Sequence, residues 1–590
     1  MSLDVALRIA TSSLMTTQVK ISVASSNISN ADTTGYTVKT ANQVATVSGG
    51  VGTGTTITGI TSSVDKLLLK SLMQATSALG SADTSNTYLN QLQALYGSSS
   101  GTDSSGTSLA NTIAELETAI SSLSGTTSSA ALQANAVSAL DAVASQLRDT
   151  SSGIQDLRSD VGQKIDSSVD DVNDQLKIIA SLNAQIKQAA ASGQSTGDLE
   201  DQRNTALQDV ASKMDVSYFI SSSGDMQVYT TSGQALVDSS VHLLSYTASA
   251  SVTAATTYDP ASTGGFSGIT LNGVDVTSQI KSGEIGALIS LRDSVLPAAQ
   301  AQLDQLATQL ADSLNAVHNQ GTSVPPPSTL TGTTEVTAST ALSATGTVRI
   351  AVADQSGNLA SYQDLDLSSY ATVGDLVSAI NGISGVSASI DSDGHVVIAS
   401  TASGNGIAIN EMTSSVGSGG EGLSDWLGLN DLVTATGASD FAVRGDILAN
   451  SGLLAVASLD SSSALTTGSQ VLSSGSTTVV NNLYTALTGS TSFAAVGGLG
   501  SSTSSFADYA ASIVSNVASK ASQASSDYTA KETTQSTFAS AMSSQSGVNL
   551  DEETAQISTL QTQYTAASEL IQVINEMFSS LMAAVQSVGS

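Results

Sequence analysis

Apolar side chains near the beginning of the chain recur at alternating intervals of four and three residues. A period of 3.5 residues places one stripe of a helix against a partner helix, as in a coiled coil. The positions are Leu3, Leu7, Ala10, Leu14, Thr17, Ile21, Ala24, Ile28 and Ala31, of which Thr17 is polar. The repeat ends where Asn30, Asp32 and Gly35 introduce turn residues. The sequence therefore predicts one long amphipathic helix followed by a turn.

The end of the chain carries a longer repeat of the same kind. Its positions are Ile557, Leu560, Tyr564, Ala567, Ile571, Ile574, Phe578, Leu581, Val585 and Val588. We call the two sets of positions together the assembly seam. These two helices could pair with each other, with neighbouring copies, or with both. A single apolar stripe more commonly packs on a globular domain, but the unbroken 3.5-residue period in both segments favours a coiled coil.

The segment GVNLDEE, residues 547–553, contains three consecutive acidic residues. Asn549 is a preferred N-cap residue, and Glu552 follows three positions later, as in a capping box. Asp551, Glu552 and Glu553 fall in or next to the first turn, where the helix dipole favours negative charge. A calcium loop would need oxygen ligands at alternating positions with a central glycine, which this segment lacks. The acids are therefore predicted to start a helix and not to form a metal or acid–base site.

The charge of the chain restricts its partners. Eighteen Lys and Arg residues against fifty Asp and Glu residues leave a formal net charge of −32. This sign is wrong for neutralising phosphates or anionic lipid, so we expect no nucleic acid and no membrane as partner. Cysteine is absent, which excludes a disulfide framework and Cys-based metal sites. We also expect neither a cleaved secretory signal nor a transmembrane helix.

Catalytic, cofactor-binding and metal-binding residues are not predicted. His242, His318 and His395 lie in three separate segments, and no two of them have the helical spacing of metal ligands. Residues 417–422, GSGGEG, formally match a dinucleotide-binding glycine pattern. They do not lie between a clear strand and a helix, so we predict a flexible loop. No nucleophile elbow of the G-x-S-x-G type occurs, and we expect no enzyme activity.

Between the ends, helical and alternating patterns follow one another. The alternation in VSYFI and MQVYT predicts strands, whereas GTSVPPPST predicts an extended linker. The predicted fold class is multi-domain α+β, with terminal coiled-coil helices, a helical bundle rod and β-rich middle domains. The predicted domains are 1–60 with 546–590 (terminal coiled coil), 61–215 with 283–322 and 439–545 (helical rod), 216–282 (small β domain) and 323–438 (inserted α/β domain).

Two motifs at the chain ends resemble those of the flagellar axial proteins, the family of rod, hook and junction proteins. Residues 25–36, SSNISNADTTGY, match the amino-terminal signature, and the segment SGVNLDEE from Ser546 onward matches the carboxyl-terminal one. Residues 197–237 and 283–321 are similar to segments of the junction proteins, and the stretch Asp375–Gly394 resembles an insertion of flagellins. The motif positions are Asn27, Asn30, Thr33, Gly35, Tyr36, Gly547, Asn549, Asp551, Glu552 and Glu553.

The resemblance implies a structural protein of the junction between flagellar hook and filament. It implies a ring of like subunits, with hook protein, the second junction protein (hook-associated protein 3) and a flagellar export chaperone as partners. It also implies an extracellular location, export without a cleaved signal, and an outward-facing inserted domain. Hook protein, another axial protein, or a secreted adhesin or enzyme carried on axial-type ends are the alternatives. The family often has Ser-Arg after the Gly-Tyr of the motif, whereas this chain has Thr37, Val38 and Lys39.

Overall fold

The computed structural model describes residues 3–97, 108–261 and 264–588. The helices are α1 Leu3–Ser29, α2 Lys66–Leu95, α3 Leu109–Ser124, α4 Ala130–Ala191, α5 Gly197–Lys213, α6 Gly283–Ser290, α7 Leu296–His318, α8 Val373–Ile380, α9 Leu423–Leu427, α10 Gly445–Ala449, α11 Thr478–Thr488, α12 Phe506–Ser546 and α13 Leu550–Val588. None of these described helices is both long and apolar enough to span a membrane.

The strands are short and belong to several small sheets. They are β1 Lys39–Ser48, β2 Val51–Ser62, β3 Val216–Ile220, β4 Met226–Thr230, β5 Ala235–Val237, β6 Leu244–Ser245, β7 Thr270–Leu271, β8 Val274–Asp275, β9 Thr329–Thr331, β10 Ala344–Thr345, β11 Thr347–Asp354, β12 Leu359–Asp366, β13 Val386–Ile390, β14 Val396–Ser400, β15 Asn405–Asn410, β16 Ser415–Val416, β17 Val433–Thr434, β18 Ala442–Val443, β19 Thr491–Phe493 and β20 Ser502–Ser504. The mixed α+β fold class is confirmed.

The body of the molecule is a bundle built around α4. This helix has 62 residues, which corresponds to about 93 Å at 1.5 Å per residue. Its buried side chains include Leu140, Leu147, Ile154 and Val161, which repeat every seven residues. One face of α4 therefore packs against α3, α5, α6 and α7 along most of its length. Helices α2 and α12 pack side by side and complete the bundle.

Two small antiparallel sheets lie on this bundle, in the strand orders β3–β4–β5 and β6–β7–β8. The predicted strands VSYFI and MQVYT coincide with β3 and β4. Met226, Val228, Leu236 and Leu271 from these sheets belong to the same continuous core as the rod helices. The β region 216–282 therefore packs on the rod and does not surround a separate core, because strands of two to five residues cannot enclose one.

The inserted region has a hydrophobic core of its own. Its sheets have the orders β12–β11–β15 and β13–β14–β9, and α8 packs against β13. Ile350, Leu376, Ile398 and Leu427 are among the side chains that fill this core. Helix α8 begins with a complete capping box between Thr372 and Asp375.

Two segments at the edges of this inserted region pack on its sheets. Residues 457–472, which were predicted to belong to the rod segment 439–545, pack through Leu459 and Leu472 against the other face of the β11 sheet. The stretch GTSVPPPST is not a free linker. The backbone carbonyl of Pro327 accepts a hydrogen bond from Ile407 N at 2.8 Å, and that of Ser328 accepts one from Ser400 N at 2.8 Å. Proline lacks a donor but keeps its carbonyl, so the stretch can still join a sheet edge.

Candidate functional site at the junction of the chain ends

The two chain ends lie side by side as helices. Asn27, in the last turn of α1, contacts Glu553, in the first turn of α13, and the helices pack along their length, so they run antiparallel. Most of their buried positions follow the heptad, namely Ala10, Thr17 and Ala24 on α1, and Leu560, Ala567 and Ile574 on α13. Thr16 and Asn27 on α1 and Glu553 on α13 are buried as well. The seven-residue spacing on both helices matches the predicted assembly seam.

The remaining seam positions are covered only partly or not at all. Half-buried side chains are Leu3, Leu7, Leu14, Ile21, Ile28, Ala31, Ile557 and Ile571. Tyr564, Phe578, Leu581 and Val585 are exposed, at 38%, 39%, 55% and 62%. The side chain of Val588 lies outside the described ones. Helix α13 has 39 residues and α1 has 27, so the end of α13 extends beyond the helix that covers its beginning.

Asn27 is the centre of a polar cluster that ties the ends to the rod. Its Nδ2 donates to Lys39 O and to Glu553 Oε1, each at 3.0 Å. Its Oδ1 accepts from Tyr36 OH and from Lys39 N, each at 3.0 Å. Because Asn27 is only 1% exposed, all four bonds lie inside the protein. We call Asn27, Tyr36, Lys39, Asp201 and Glu553 the terminal clamp.

Lys39 connects this cluster to α5. Its ammonium group donates to the carboxylate of Asp201 and to Thr37 O, the second at 3.0 Å, and stands 4.5 Å from the centre of the Tyr36 ring. Thr37 donates to Asp201 through both its N–H, at 2.9 Å, and its hydroxyl, at 2.7 Å. Burial raises the pKa of Asp201, and the bonds from Lys39 and Thr37 oppose that shift. The family often has an arginine at the position of Val38. In this chain Lys39, one residue later, makes the charge contact.

The remaining residues of the amino-terminal motif shape the turn after α1. Asn30 donates through Nδ2 to Ser26 O at 2.9 Å, and Thr33 Oγ1 donates to Asn30 Oδ1 at 3.4 Å. Gly35 has a φ of +79°, and a Cβ at this position would lie 2.5 Å from Thr205 Oγ1. Only glycine adopts this backbone conformation freely. The motif therefore turns the chain so that Tyr36 and Lys39 meet Asn27.

The acidic motif has two separate roles. Asn549 Oδ1 accepts from Asp551 N at 3.1 Å and from Glu552 N at 3.4 Å, so Asn549 caps α13 as the sequence predicts. Glu553 instead points into the protein, where it is 6% exposed. Burial raises its pKa, and its Oε2 has no hydrogen-bond partner among the described residues. Just before α13, Gly547 N donates to Ser543 O at 2.8 Å and ends α12.

A second polar cluster was not predicted from the sequence. It joins the end of α7 to the inserted region, and its centre is His318, which is fully buried, and Asn319, which is 1% exposed. Asn319 Nδ2 donates to Asp431 Oδ1 at 2.7 Å, and Asn319 Oδ1 accepts from Ser424 Oγ at 2.7 Å. The sequence pattern does not predict this cluster, because a single histidine near the end of a helix has no distinctive meaning.

The three histidines belong to different elements, since His242 lies between β5 and β6, His318 ends α7, and His395 precedes β14. His242 approaches Asp238 Oδ1 at 3.3 Å, and His395 approaches Asp391 Oδ2 at 3.7 Å. Within residues 3–97, 108–261 and 264–588, no three His, Asp or Glu side chains are arranged to hold a metal ion.

Comparison with known proteins first shows similarity to one class of proteins. Residues 7–37 match the family model "Flagella basal body rod protein", and residues 539–584 match "Flagellar basal body rod FlgEFG protein C-terminal". Residues 347–402 match "Flagellin hook IN motif". These matches include Asn27, Tyr36 and Glu553 of the terminal clamp, and the strands β11 to β14 of the inserted region. They confirm the resemblance to flagellar axial proteins, a class of structural proteins.

Within this class, the chain is similar to one particular kind of protein. Residues 89–333 match the family model "Flagellar hook-associated protein FlgK helical domain". Flagellar hook-associated protein 1 of Escherichia coli (strain K12) is 24% identical over 325 residues, which are 53% of this chain and 56% of that protein. The protein of the same name from Salmonella typhimurium is 23% identical over 321 residues, again 53% and 56%. The chain thus spans about half the length of the curated relatives it matches.

One solved structure also matches the chain. It is titled the structure of the flagellar hook junction protein FlgK from Burkholderia pseudomallei. It covers 80% of this chain and 99% of its own, at 17% identity and a TM-score of 0.49.

Proposed function

We propose that this chain is a structural protein of the bacterial flagellum that forms the junction between hook and filament. It assembles through its terminal helices and has no enzymatic role. The observation that carries this proposal is the partly covered assembly seam on α1 and α13, held to the rod by the terminal clamp. The similarity to hook-associated protein 1 supports the position at the junction.

Burial of the exposed seam residues would stabilise an assembly of several copies. Phe578, Leu581 and Val585 are exposed on the part of α13 that extends beyond α1. Covering an apolar side chain of this size stabilises an assembly by about 1.5–3 kcal/mol. Neighbouring copies that place their terminal helices against this stretch form a ring through heterologous contacts, in which each copy uses two different surfaces.

The proposed partners follow from the position in the flagellum. They are like subunits in the ring, hook protein on one side, and hook-associated protein 3 on the other. The last proposed partner is an export chaperone, which covers the exposed stripe of α13 before assembly. We propose that the protein acts outside the cell at the hook–filament junction and reaches that position without cleavage of a signal peptide.

A different axial position is the second candidate. Residues 539–584 match a model named after basal body rod proteins, so the carboxyl-terminal helix is similar to proteins of the rod and not only of the junction. Hook protein or another axial protein would have the same paired ends. The place of the labelled protein along intact flagella separates these positions.

The first experiment therefore locates the protein by immunogold electron microscopy. We expect label at the junction of hook and filament. Label along the whole hook, along the rod, or only in the culture medium would contradict the junction assignment.

The second experiment tests the seam. Phe578→Asp with Leu581→Asp places two charges on the exposed stripe and should abolish incorporation, while far-UV circular dichroism of the purified chain stays unchanged. The control Ser579→Asp with Ser580→Asp adds the same charge at neighbouring exposed hydroxyl positions and should be incorporated. Incorporation of the Phe578 and Leu581 variant at the normal level would refute assembly through this stripe.

The third experiment tests the chaperone. A chain without residues 549–590 lacks α13 and its stripe, so it should no longer bind the chaperone in pull-downs. Unchanged binding would show that the chaperone recognises another part of the chain.

A further inference from the structure

The β1–β2 hairpin is an uncharged surface on a strongly acidic protein. Residues 40–62 contain no Asp, Glu, Lys or Arg, whereas the whole chain has a net charge of −32. Val44, Val47 and Val51 are exposed, at 46%, 64% and 53%. Two-stranded sheets with free edges and exposed valines readily associate with other chains, and free surfaces usually avoid this combination. The hairpin therefore has the properties of a contact surface.

The hairpin is held along α1, away from the rod. Thr55 N donates to Ser12 Oγ at 3.1 Å, and the hydroxyls of Thr16 and Thr55 are 3.2 Å apart. β1 begins at Lys39 in the terminal clamp and contains ten residues, so its tip lies about 30 Å from that base at 3.3 Å per residue. The tip cannot reach the base of its own rod.

The tip itself is narrow. Ser48 pairs with Val51, and the two residues between them are Gly49 and Gly50, with φ of +58° and +81°. This is the two-residue turn that requires positive φ at both central positions. A Cβ at either glycine would meet nothing within 4 Å. The tip therefore presents an exposed backbone turn with Val47 and Val51 beside it.

A groove of about 400 Å³ lies near the base of the hairpin, beside Tyr36 of the terminal clamp. The turn after α1, residues 31–37, forms one wall, and α2, α5 and the end of α12 form the others. Leu69, Leu72 and Met542 give it an apolar floor. Asp32 is the charged residue among the described side chains that line it. The groove is therefore almost as free of charge as the hairpin.

Polar side chains also line the same groove. The amides of Gln208 and Gln535 line it, and so does Ser546, which is 1% exposed. The hydroxyl of Ser546 has no hydrogen-bond partner among the described residues. Buried hydroxyls are normally paired, so this one leaves an unsatisfied polar group in the groove wall.

We propose that the β1–β2 tip of one copy binds in this groove of a second copy. Val47 and Val51 pack on Leu69 and Met542, and the backbone of the glycine turn bonds to the amides at the groove wall. Two copies that each carry a net charge of −32 repel each other, so a contact between them is favoured where charge is sparse, as it is on both of these surfaces.

The contact joins two different surfaces that lie about 30 Å apart on the same terminal unit. It is therefore head-to-tail, and every copy added leaves one tip and one groove free for the next. This inference rests on the proposed self-assembly and gives the ring a second heterologous contact in addition to the seam.

The absence of cysteine from the chain permits a direct test. Ser48→Cys places a thiol at the tip, and Ser543→Cys places one at the groove edge. The bacterium that encodes the protein is made to produce both variants together, and its isolated flagella are treated with a short bismaleimide crosslinker. We expect a crosslinked dimer that contains one copy of each variant.

Three controls make the result specific. Replacing the groove variant by Ser356→Cys, an exposed position in the β11–β12 turn, should remove the dimer. Adding Val51→Asp to the tip variant should also remove it. Adding Thr56→Asp, which puts the same charge at an exposed position midway along the hairpin, should leave it.

The possible failures are distinguishable. If both variants are present in flagella but form no more dimer than the Ser356 control pair, the tip-to-groove contact is refuted while the structural role stands. A dimer between two Ser48→Cys copies, or a crosslink from the tip only to another flagellar protein, refutes it equally. If neither variant nor the unchanged chain reaches the flagellum, the proposed function fails, and this inference fails with it.

Discussion

Asn27 and Glu553 are 526 residues apart in the sequence, and the Asn27 amide donates a hydrogen bond of 3.0 Å to Glu553 Oε1. This bond joins the last turn of α1 to the first turn of α13. Asn27 also bonds both backbone groups of Lys39, whose ammonium group pairs with Asp201 on α5. The two ends are thus held as one unit, and that unit is fixed to the rod at its base.

Replacing Asn27 should loosen this unit. Leucine is similar in size, but it would leave Lys39 N, Lys39 O and Glu553 Oε1 without their partner. Each buried group that loses its hydrogen bond costs about 1–3 kcal/mol, so we expect Asn27→Leu to lower the local unfolding free energy by about 3 kcal/mol. Hydrogen exchange of the α1 and β1 amides measures the change and should become faster.

Two further variants distinguish loss of the clamp hydrogen bonds from a nonspecific loss of stability. Asn30→Ala changes an asparagine whose bonds stay within its own turn, so exchange elsewhere in α1 should remain slow. Asn27→Leu with Glu553→Leu replaces both partners by apolar groups and should recover part of the loss. If Asn27→Leu exchanges like the unchanged chain, the clamp does not hold the ends.

Asp201, on α5 of the rod, should be as important as Asn27 for holding the chain ends. Asp201→Ala would leave the buried ammonium group of Lys39 without its close carboxylate, since Asp198 is 3.8 Å away and 70% exposed. Removing one partner of a buried ion pair costs about 3–5 kcal/mol. We expect limited proteolysis to cut the segment 31–39 in Asp201→Ala first. The control Asp198→Ala should show nearly the unchanged pattern, and equal cutting of both variants would contradict this ranking.

Periodicity predicted the local part of this site. The 3.5-residue repeat predicted two amphipathic helices, and the structure buries Ala10, Thr17 and Ala24 at that spacing. Capping chemistry predicted that Asn549 begins α13, because that bond joins residues two and three positions apart. Local rules of this kind depend only on neighbours in the chain.

Contacts between distant segments were not predictable in this way. Glu553 was assigned to the helix start with Asp551 and Glu552, although it pairs with Asn27 across the whole chain. Nothing in the sequence pattern distinguishes it, because three adjacent acids differ only in the direction that each faces on the helix. The packing of residues 457–472 on the inserted sheet was missed for the same reason, since their partners, such as Ala351 and Ala408, lie far from them in the sequence.

The cluster beside Asn319 should respond to pH. Burial raises the pKa of Asp425 to about 6, and Asp431, Glu421, Glu411 and Asp312 add to the shift. A carboxyl group with a raised pKa stabilises the fold most at low pH, and this contribution is lost as the pH rises through 6. Asp425→Asn removes the charge and should stabilise the inserted region at pH 8. Because Asp425 is half-buried, we expect a gain of about 1–2 kcal/mol.

Urea unfolding followed by the fluorescence of Trp426, which packs against the same core, measures this gain. The difference between Asp425→Asn and the unchanged chain should shrink as the pH falls from 8 to 4. Asp393→Asn, at an exposed turn of the same region, serves as the control and should show no such trend. A difference that is constant with pH would mean that the charge of Asp425 is not responsible.

His318 should give a pH dependence of the opposite sign. Its Nε2 accepts from Ala455 N at 2.9 Å, so Nδ1 carries the proton and donates to Asn430 O. Burial lowers its pKa from 6.5 to about 4; its bond to Asn430 and the charge of Asp446 oppose this shift, and Arg444 adds to it. Between these values the unfolded chain binds a proton that the folded chain does not. The unfolding free energy therefore falls as the pH is lowered from 6.5 to 4, by about 3 kcal/mol.

His318→Gln cannot titrate, so it should remove this part of the pH dependence whatever it costs at pH 8. The same urea titration, repeated between pH 7 and pH 4, gives the slope for each chain. We expect a smaller loss on acidification in His318→Gln than in the unchanged chain, because the proton taken up by the unfolded histidine is gone. Combining His318→Gln with Asp425→Asn removes both opposing contributions. The pH dependence that remains then reports the other buried carboxyl groups of the cluster, Asp431 and Glu411, whose pKa values burial also raises. Equal slopes in the unchanged chain and in His318→Gln would show that His318 is protonated in the folded state as readily as in the unfolded one.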